Sequence, residues 1–143
     1  MRQFIHCAVT LALLAGQPAM AQGHLDQGAT LAASVKLDFA AAIPNIAGKS
    51  LKTVLVDYAP GGSSPAHSHA KSAFILAYVL EGSVMSAVNG APPRAFKAGE
   101  WWTENPGDHH RVSSNASKTR PARLLAIFVV DTDDTQLTTN DPR

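Results

Sequence analysis

From Leu51 to Asp131 the chain is a succession of short apolar, β-branched or aromatic runs, each cut off by Gly, Pro, Asn or Ser within about ten residues. "LKTVLVDYAP", "AFILAYVLEG", "SVMSAV", "PRAFKAG", "EWWTE", "HHRVSSN" and "ARLLAIFVVD" each read as a strand. Asn89-Gly90, directly after "SVMSAV", is the strongest hairpin signal in the chain. Strands this short, spaced by turn residues, predict an all-β sandwich or barrel rather than an alternation of helix and strand.

The N-terminus is set apart from this domain. Arg2, the apolar "CAVTLALLAG" and the small-x-small Ala19-Met20-Ala21 before Gln22 read as a secretory signal peptide over residues 1–21. Its apolar stretch is too short for a stable membrane anchor. The expectation is a soluble exported protein, bacterial and periplasmic. Cys7 is the sole cysteine, so the chain from Gln22 onward has no disulfide, thiolate ligand or cysteine nucleophile. The remaining ~120 residues suffice for one domain. Its expected parts are a lead-in over residues 22–48, a barrel over 49–131 and a polar tail over 132–143.

Charge and motif content exclude several functions. Without Arg2 there are 11 basic residues against 11 acidic ones and no basic stripe, which argues against nucleic acid as a partner. There is no P-loop and no Gly-x-Ser-x-Gly elbow, and only three glutamates are present, which leaves little for acyl transfer or two-carboxylate glycoside hydrolysis.

Histidine is what stands out. Beyond residue 21, all but His24 fall into two pairs, His67/His69 and His109/His110, roughly forty residues apart. On extended backbone, residues two apart share a face, so His67 and His69 can aim both imidazoles at one metal ion. The same pattern also arises in surface loops, and the Gly-Ser-Pro stretch just upstream is loop-like.

The surroundings of both pairs carry a resemblance. "PGGSSPAHSHAKSAFILAYVLEG" resembles the first motif of the cupin superfamily and "GEWWTENPGDHHRVSSN" resembles the second, in the family's order and at an ordinary separation. Gly61 or Gly62, His67, His69 and Gly82 match the first motif; Gly99, Gly107, His110 and Asn115 match the second. Pro106 is one place off, with Asn105 where the usual proline stands. The resemblance covers roughly residues 50 to 130. It implies an all-β double-stranded β-helix, or jelly-roll barrel, of six to eight strands. It also implies one divalent transition metal (Fe, Mn, Ni, Cu or Zn) held by His67, His69 and His110, with positions left open for a small-molecule substrate.

One departure bears on chemistry. The family's first motif carries a glutamate shortly after the second histidine, where this chain has Phe74 or Ile75. Members without it include three-histidine iron(II) oxygenases, so the resemblance implies either an open metal face of that kind, a ligand supplied from elsewhere, or a site that only binds. Glu104 is the first substitute, as ligand, supporting carboxylate or general base, although the turn at Asn105-Pro106-Gly107 hides which way it faces. His109, next to His110, belongs on the opposite face of a regular strand and is a second candidate for moving a proton. Trp101 and Trp102 alternate in the same way, while Phe74, Ile75, Tyr78 and Leu80 read as core. Arg94, Arg111 and Arg123 are candidates for a substrate carboxylate or plain surface residues. Three functions remain open: a metal-dependent oxygenase, a non-redox isomerase or lyase on a sugar-derived acid, and a non-catalytic binding module. Outward apolar residues in "LKTVLVDY" allow a homodimer.

Overall fold

The computed structural model describes residues 33–142, so the expected signal peptide and the start of the lead-in lie outside the described residues. Eleven strands follow one another: β1 (Ser34–Ala42), β2 (Lys49–Tyr58), β3 (Ser63–Ser64), β4 (His67–His69), β5 (Phe74–Glu81), β6 (Ser83–Val88), β7 (Arg94–Lys97), β8 (Trp101–Glu104), β9 (His109–Asn115), β10 (Ala122–Asp131) and β11 (Thr138–Asn140). They build two antiparallel sheets, one ordered β1-β2-β10-β5-β8 and the other β11-β4-β9-β6-β7, with β3 paired to β9. This is the all-β, double-stranded β-helix architecture that the motifs imply.

Each of the seven runs read as strands forms one. Alternation then decides what goes inside. Val54, Val56, Ile75, Ala77, Val79, Leu124, Phe128 and Val130 all point between the sheets and are buried. Their outward neighbours in the same strands are also largely apolar. Phe74, Tyr78 and Leu80, expected in the core, stand outside with 43, 36 and 44 % of their surface exposed, because they alternate with the inward-facing Ile75, Ala77 and Val79 of the same strand.

Four additional strands lie outside these runs, and β1 among them alternates Val35, Leu37 and Phe39 with Lys36 and Asp38 inside an otherwise Ala-rich segment. Part of the lead-in is β1, which pairs along β2 with a bulge between Leu37 and Phe39. Part of the tail is β11, which pairs with β4. The Asn89-Gly90 turn does reverse the chain, though Ser86 and Arg94 are the innermost paired residues, so the loop is longer than a two-residue hairpin. Asn89 takes a left-handed φ of 52°. Its side chain donates to Asp108 Oδ1 at 2.8 Å and accepts from the His109 amide at 2.9 Å, which ties this turn to the start of β9.

Candidate metal centre

Two neighbouring strands, β4 and β9, place the three histidines. His67 and His69 leave the same face of β4, and His67 sits directly opposite His110 on β9. Their rings meet edge to face, with centroids 4.8 Å apart for His67 and His69 and 5.1 Å for His67 and His110. One nitrogen from each ring can be chosen so that all three lie within 4.8 Å of one another. His109 pairs with Ser68 instead, faces outward and contacts Asp141 at 2.8 Å. It does not join the cluster.

The outer ring nitrogens set the tautomers. His67 Nδ1 lies 2.7 Å from the Pro65 carbonyl and His69 Nδ1 lies 3.2 Å from the Leu137 carbonyl. A carbonyl only accepts, so both Nδ1 atoms carry the proton and both Nε2 atoms keep a free lone pair, the form in which imidazole binds a metal. His110 is held on its Nε2 side by Ser86 Oγ at 3.0 Å. Burial lowers the pKa of His67, and burial with the nearby His67 and His69 brings His110 down to about 4 despite Glu104. These two imidazoles are therefore neutral at pH 7 and able to act as ligands.

Glu104 turns inward and is 2 % exposed. Its Oε1 accepts from Trp102 Nε1 at 3.0 Å and lies 3.2 Å from His110 Nδ1. Its Oε2 lies 3.3 Å from His69 Nε2 yet makes no hydrogen bond. Burial raises this carboxyl, while positive charge on the His69 and His110 side and the Trp102 indole lower it by more, and a bound cation would supply that charge where the imidazoles themselves are neutral. A buried carboxylate oxygen without a donor, facing imidazole lone pairs, is a costly arrangement that a cation among these atoms would relieve. The three imidazole nitrogens fit a divalent transition metal, and the Glu104 carboxylate stands beside them against His69 and His110.

The cluster forms part of the wall of a cavity of about 460 Å³ between the sheets. Val54, Val56, Leu124 and Phe128 give it an apolar wall, and Tyr58, hydrogen-bonded to Ser113 Oγ at 2.6 Å, adds a hydroxyl. Among the described residues, no lysine or arginine lines it. Arg123 pairs with Asp57, Arg94 with Glu100, and Arg111 donates to the carbonyls of Asn89 and Ala91, all away from the cavity.

A family model for the cupin domain matches residues 54–128, more than half of the chain. The chain belongs to the cupin family. Over 90 residues it is 31% identical to germin-like protein subfamily 2 member 2 of Arabidopsis thaliana, covering 60% of this chain and 40% of that protein. Among solved structures it is similar to an oxalate oxidase in complex with the substrate analogue glycolate (28% identity, TM-score 0.50, 56% of this chain and 42% of the other). It also resembles a double-stranded β-helix protein from Klebsiella pneumoniae (13% identity, TM-score 0.61, 82% and 90%), a likeness of fold alone. The matched part spans less than half the length of the germin-like protein and of the oxalate oxidase.

Several supports of this cupin site escape a motif search. Trp102 orients Glu104, Ser86 holds His110, and the Leu137 carbonyl just before β11 holds His69. Only the Trp101/Trp102 alternation hinted at the first. The other two depend on strand pairings 24 and 68 residues apart in sequence. Asn115, the second motif's trailing asparagine, is structural: its Nδ2 donates to the carbonyls of Ala59 and Arg120 at 3.0 and 2.7 Å.

Proposed function

We propose that this cupin is an exported, metal-dependent enzyme of oxygenase type, acting on a small organic molecule bound between the sheets. The observation that carries the reading is the Glu104 Oε2 atom, buried and unpartnered beside His69 of the three-histidine cluster, at the edge of a largely apolar cavity. His67, His69 and His110 would hold the metal, with Glu104 as the fourth protein ligand. Bound there, the metal would supply Lewis acidity and, if redox-active, a centre for oxygen chemistry. Trp102 and Ser86 keep Glu104 and His110 in place, Tyr58 offers a hydroxyl to a substrate oxygen, and the aliphatic wall excludes water from the reacting face.

The resemblance to a germin-like protein and to an oxalate oxidase supports redox chemistry. The cavity itself favours a substrate less polar than a dicarboxylate, because apart from a bound metal its described lining residues offer an anion no cationic partner. The test is an oxygen-uptake screen with the Fe(II)-loaded protein, comparing neutral hydroxyl and carbonyl compounds with oxalate. Uptake with a neutral compound, lost in Glu104→Ala, supports the reading. Turnover that needs no oxygen and persists with Zn(II) would favour a non-redox isomerase or lyase, in which Glu104 moves the proton. Tight ligand binding without turnover under either metal would leave a binding module.

A further inference from the structure

Two groups of polar side chains line the inside of the cavity, apart from Thr138 and Asn140 at the exposed β11 edge. One is the histidine cluster with Glu104. The other is a set of three hydroxyls, from Tyr58 on β2, Ser64 on β3 and Ser113 on β9. Local backbone geometry brings them together. Tyr58 follows Val54 and Val56 onto the inner face of β2. A bulge in the β6–β9 ladder adds Arg111 to β9, so His110 and Ser113 both face inward although an odd number of positions separates them. Ser64 stands directly opposite Ser113. The Tyr58 hydroxyl lies 2.6 Å from Ser113 Oγ and 3.5 Å from Ser64 Oγ.

Two hydroxyls that share one hydrogen bond still hold one proton and several lone pairs in reserve. Ser64, at 3.5 Å, is at the limit of hydrogen-bond distance and takes up little of that capacity. Packing alone would be served as well by Phe and Ala, because a mutually bonded polar pair adds little net stability over apolar groups of the same shape. Burial raises the Tyr58 phenol above its ordinary pKa, so the group is a neutral hydroxyl rather than a phenolate. A neutral cluster that can both donate and accept suits an uncharged oxygen. A carboxylate at this point would lose its water without meeting a cationic side chain among the described lining residues.

We infer that Tyr58, Ser113 and Ser64 form a second recognition point in the cavity, and that the substrate is a neutral molecule with two oxygen functions, one directed at the metal centre and the other, a hydroxyl or carbonyl, bound by these hydroxyls. The inference rests on the metal-dependent reading of the same cavity and adds the class of molecule it selects. Ser113 stands roughly 7–10 Å along β9 from His110, a span that a short carbon chain between the two oxygens covers. The wall beside that span, Val54, Val56, Leu124 and Ala126, is aliphatic and fits such a chain.

Ligand-observed NMR on the Zn(II)-loaded protein tests this without any oxygen chemistry. The probes are neutral methyl ketones that carry a terminal hydroxyl, with one to four methylene groups between carbonyl and hydroxyl, each compared with the same ketone lacking the hydroxyl. Wild type should prefer the hydroxy ketone at least about fivefold at the chain length that reaches both points, and less at the others. Tyr58→Phe, which keeps the ring, should remove that preference, and Ser113→Ala should reduce it. A wild type without a preference at any length overturns the inference, as does a preference that survives in both variants. Zinc content measured alongside separates the two readings. A protein that holds no zinc fails the metal reading and this inference with it, whereas one that holds zinc and shows no preference fails this inference alone.

Discussion

Glu104 on β8 stands directly across the strand pair from Ile75 on β5. Ile75 is a position where the family's first motif would place its glutamate, and both side chains project into the cavity. Directly paired residues hold their Cβ atoms within about 5 Å. The carboxylate missing from one strand is thus offered by its neighbour, beside His69 and His110 of the same cluster. Glu104→Gln should therefore weaken metal binding at least about tenfold, since the neutral amide keeps the shape but removes the charge. The exchange Ile75→Glu/Glu104→Ile should recover a substantial part of that loss, measured by competition with a chelating dye. Equal affinities for wild type and Glu104→Gln would show that Glu104 is not a ligand.

Metal removal should cost stability. A site that only the fold assembles, from His67, His69 and His110 beside Glu104, binds the native state and not the unfolded chain, so free metal at about a hundred times its Kd adds roughly 2.7 kcal/mol. Elemental analysis of protein purified anaerobically should find about one transition metal ion per chain, and His67→Ala/His110→Ala should retain none. A chelator should lower the wild-type Tm to that of the metal-free form. A double variant holding as much metal as wild type would sink the assignment of these ligands.

The seven main strands and the two histidine motifs were legible because each is a local pattern: alternation, turn residues, HxH spacing. The orientation of Glu104 was not, since the turn at Asn105-Pro106-Gly107 interrupts the parity count from His110. Nor were β1 and β11. In Ser34–Ala42 the short alternation of Val35, Leu37 and Phe39 with Lys36 and Asp38 is diluted by the Ala-rich residues around it, while Thr138–Asn140 owes its strand form to pairing with β4, which leaves no mark in its own residues. The outward position of Tyr78 and Leu80 was hidden for the opposite reason. An unbroken apolar run has no polar residue to reveal which parity faces the core.

Acid should destabilise the metal-free protein well before its surface carboxylates titrate. His110 falls to about 4 when folded, against an ordinary value of about 6.5, and His67 is lowered too. Above pH 6.5 neither state gains a proton at His110, and its contribution to stability is fully present. Between 6.5 and 4 the unfolded chain binds a proton that the folded chain refuses, so stability falls with pH, by up to about 3 kcal/mol for this residue. Glu104, lowered in the fold, adds a loss in the same direction at still lower pH. In the presence of a chelator, Tm should drop from pH 7.5 to pH 5, and His110→Gln should flatten that drop. A slope unchanged in His110→Gln would refute the attribution.

Gly82 tests why the first motif closes on glycine. It joins β5 to β6 at φ 70°, in the left-handed region, and an added Cβ would lie 2.4 Å from the Pro121 carbonyl oxygen and 3.0 Å from Ala122 Cα. Both obstacles are backbone atoms of the segment leading into β10, which cannot retreat without opening the ladder between Arg123 and Glu81. The strain of a non-glycine residue at positive φ alone is about 1 kcal/mol, and the overlap adds to it. Gly82→Ala should lose at least about 2 kcal/mol, or roughly 10 °C in Tm for a domain of this size. Gly99 also has positive φ, 89°, but open space where its Cβ would be, so Gly99→Ala isolates the backbone term and should lose about half as much. Equal losses in thermal unfolding of the two variants would mean that the contact with Pro121 is relieved by movement of the chain.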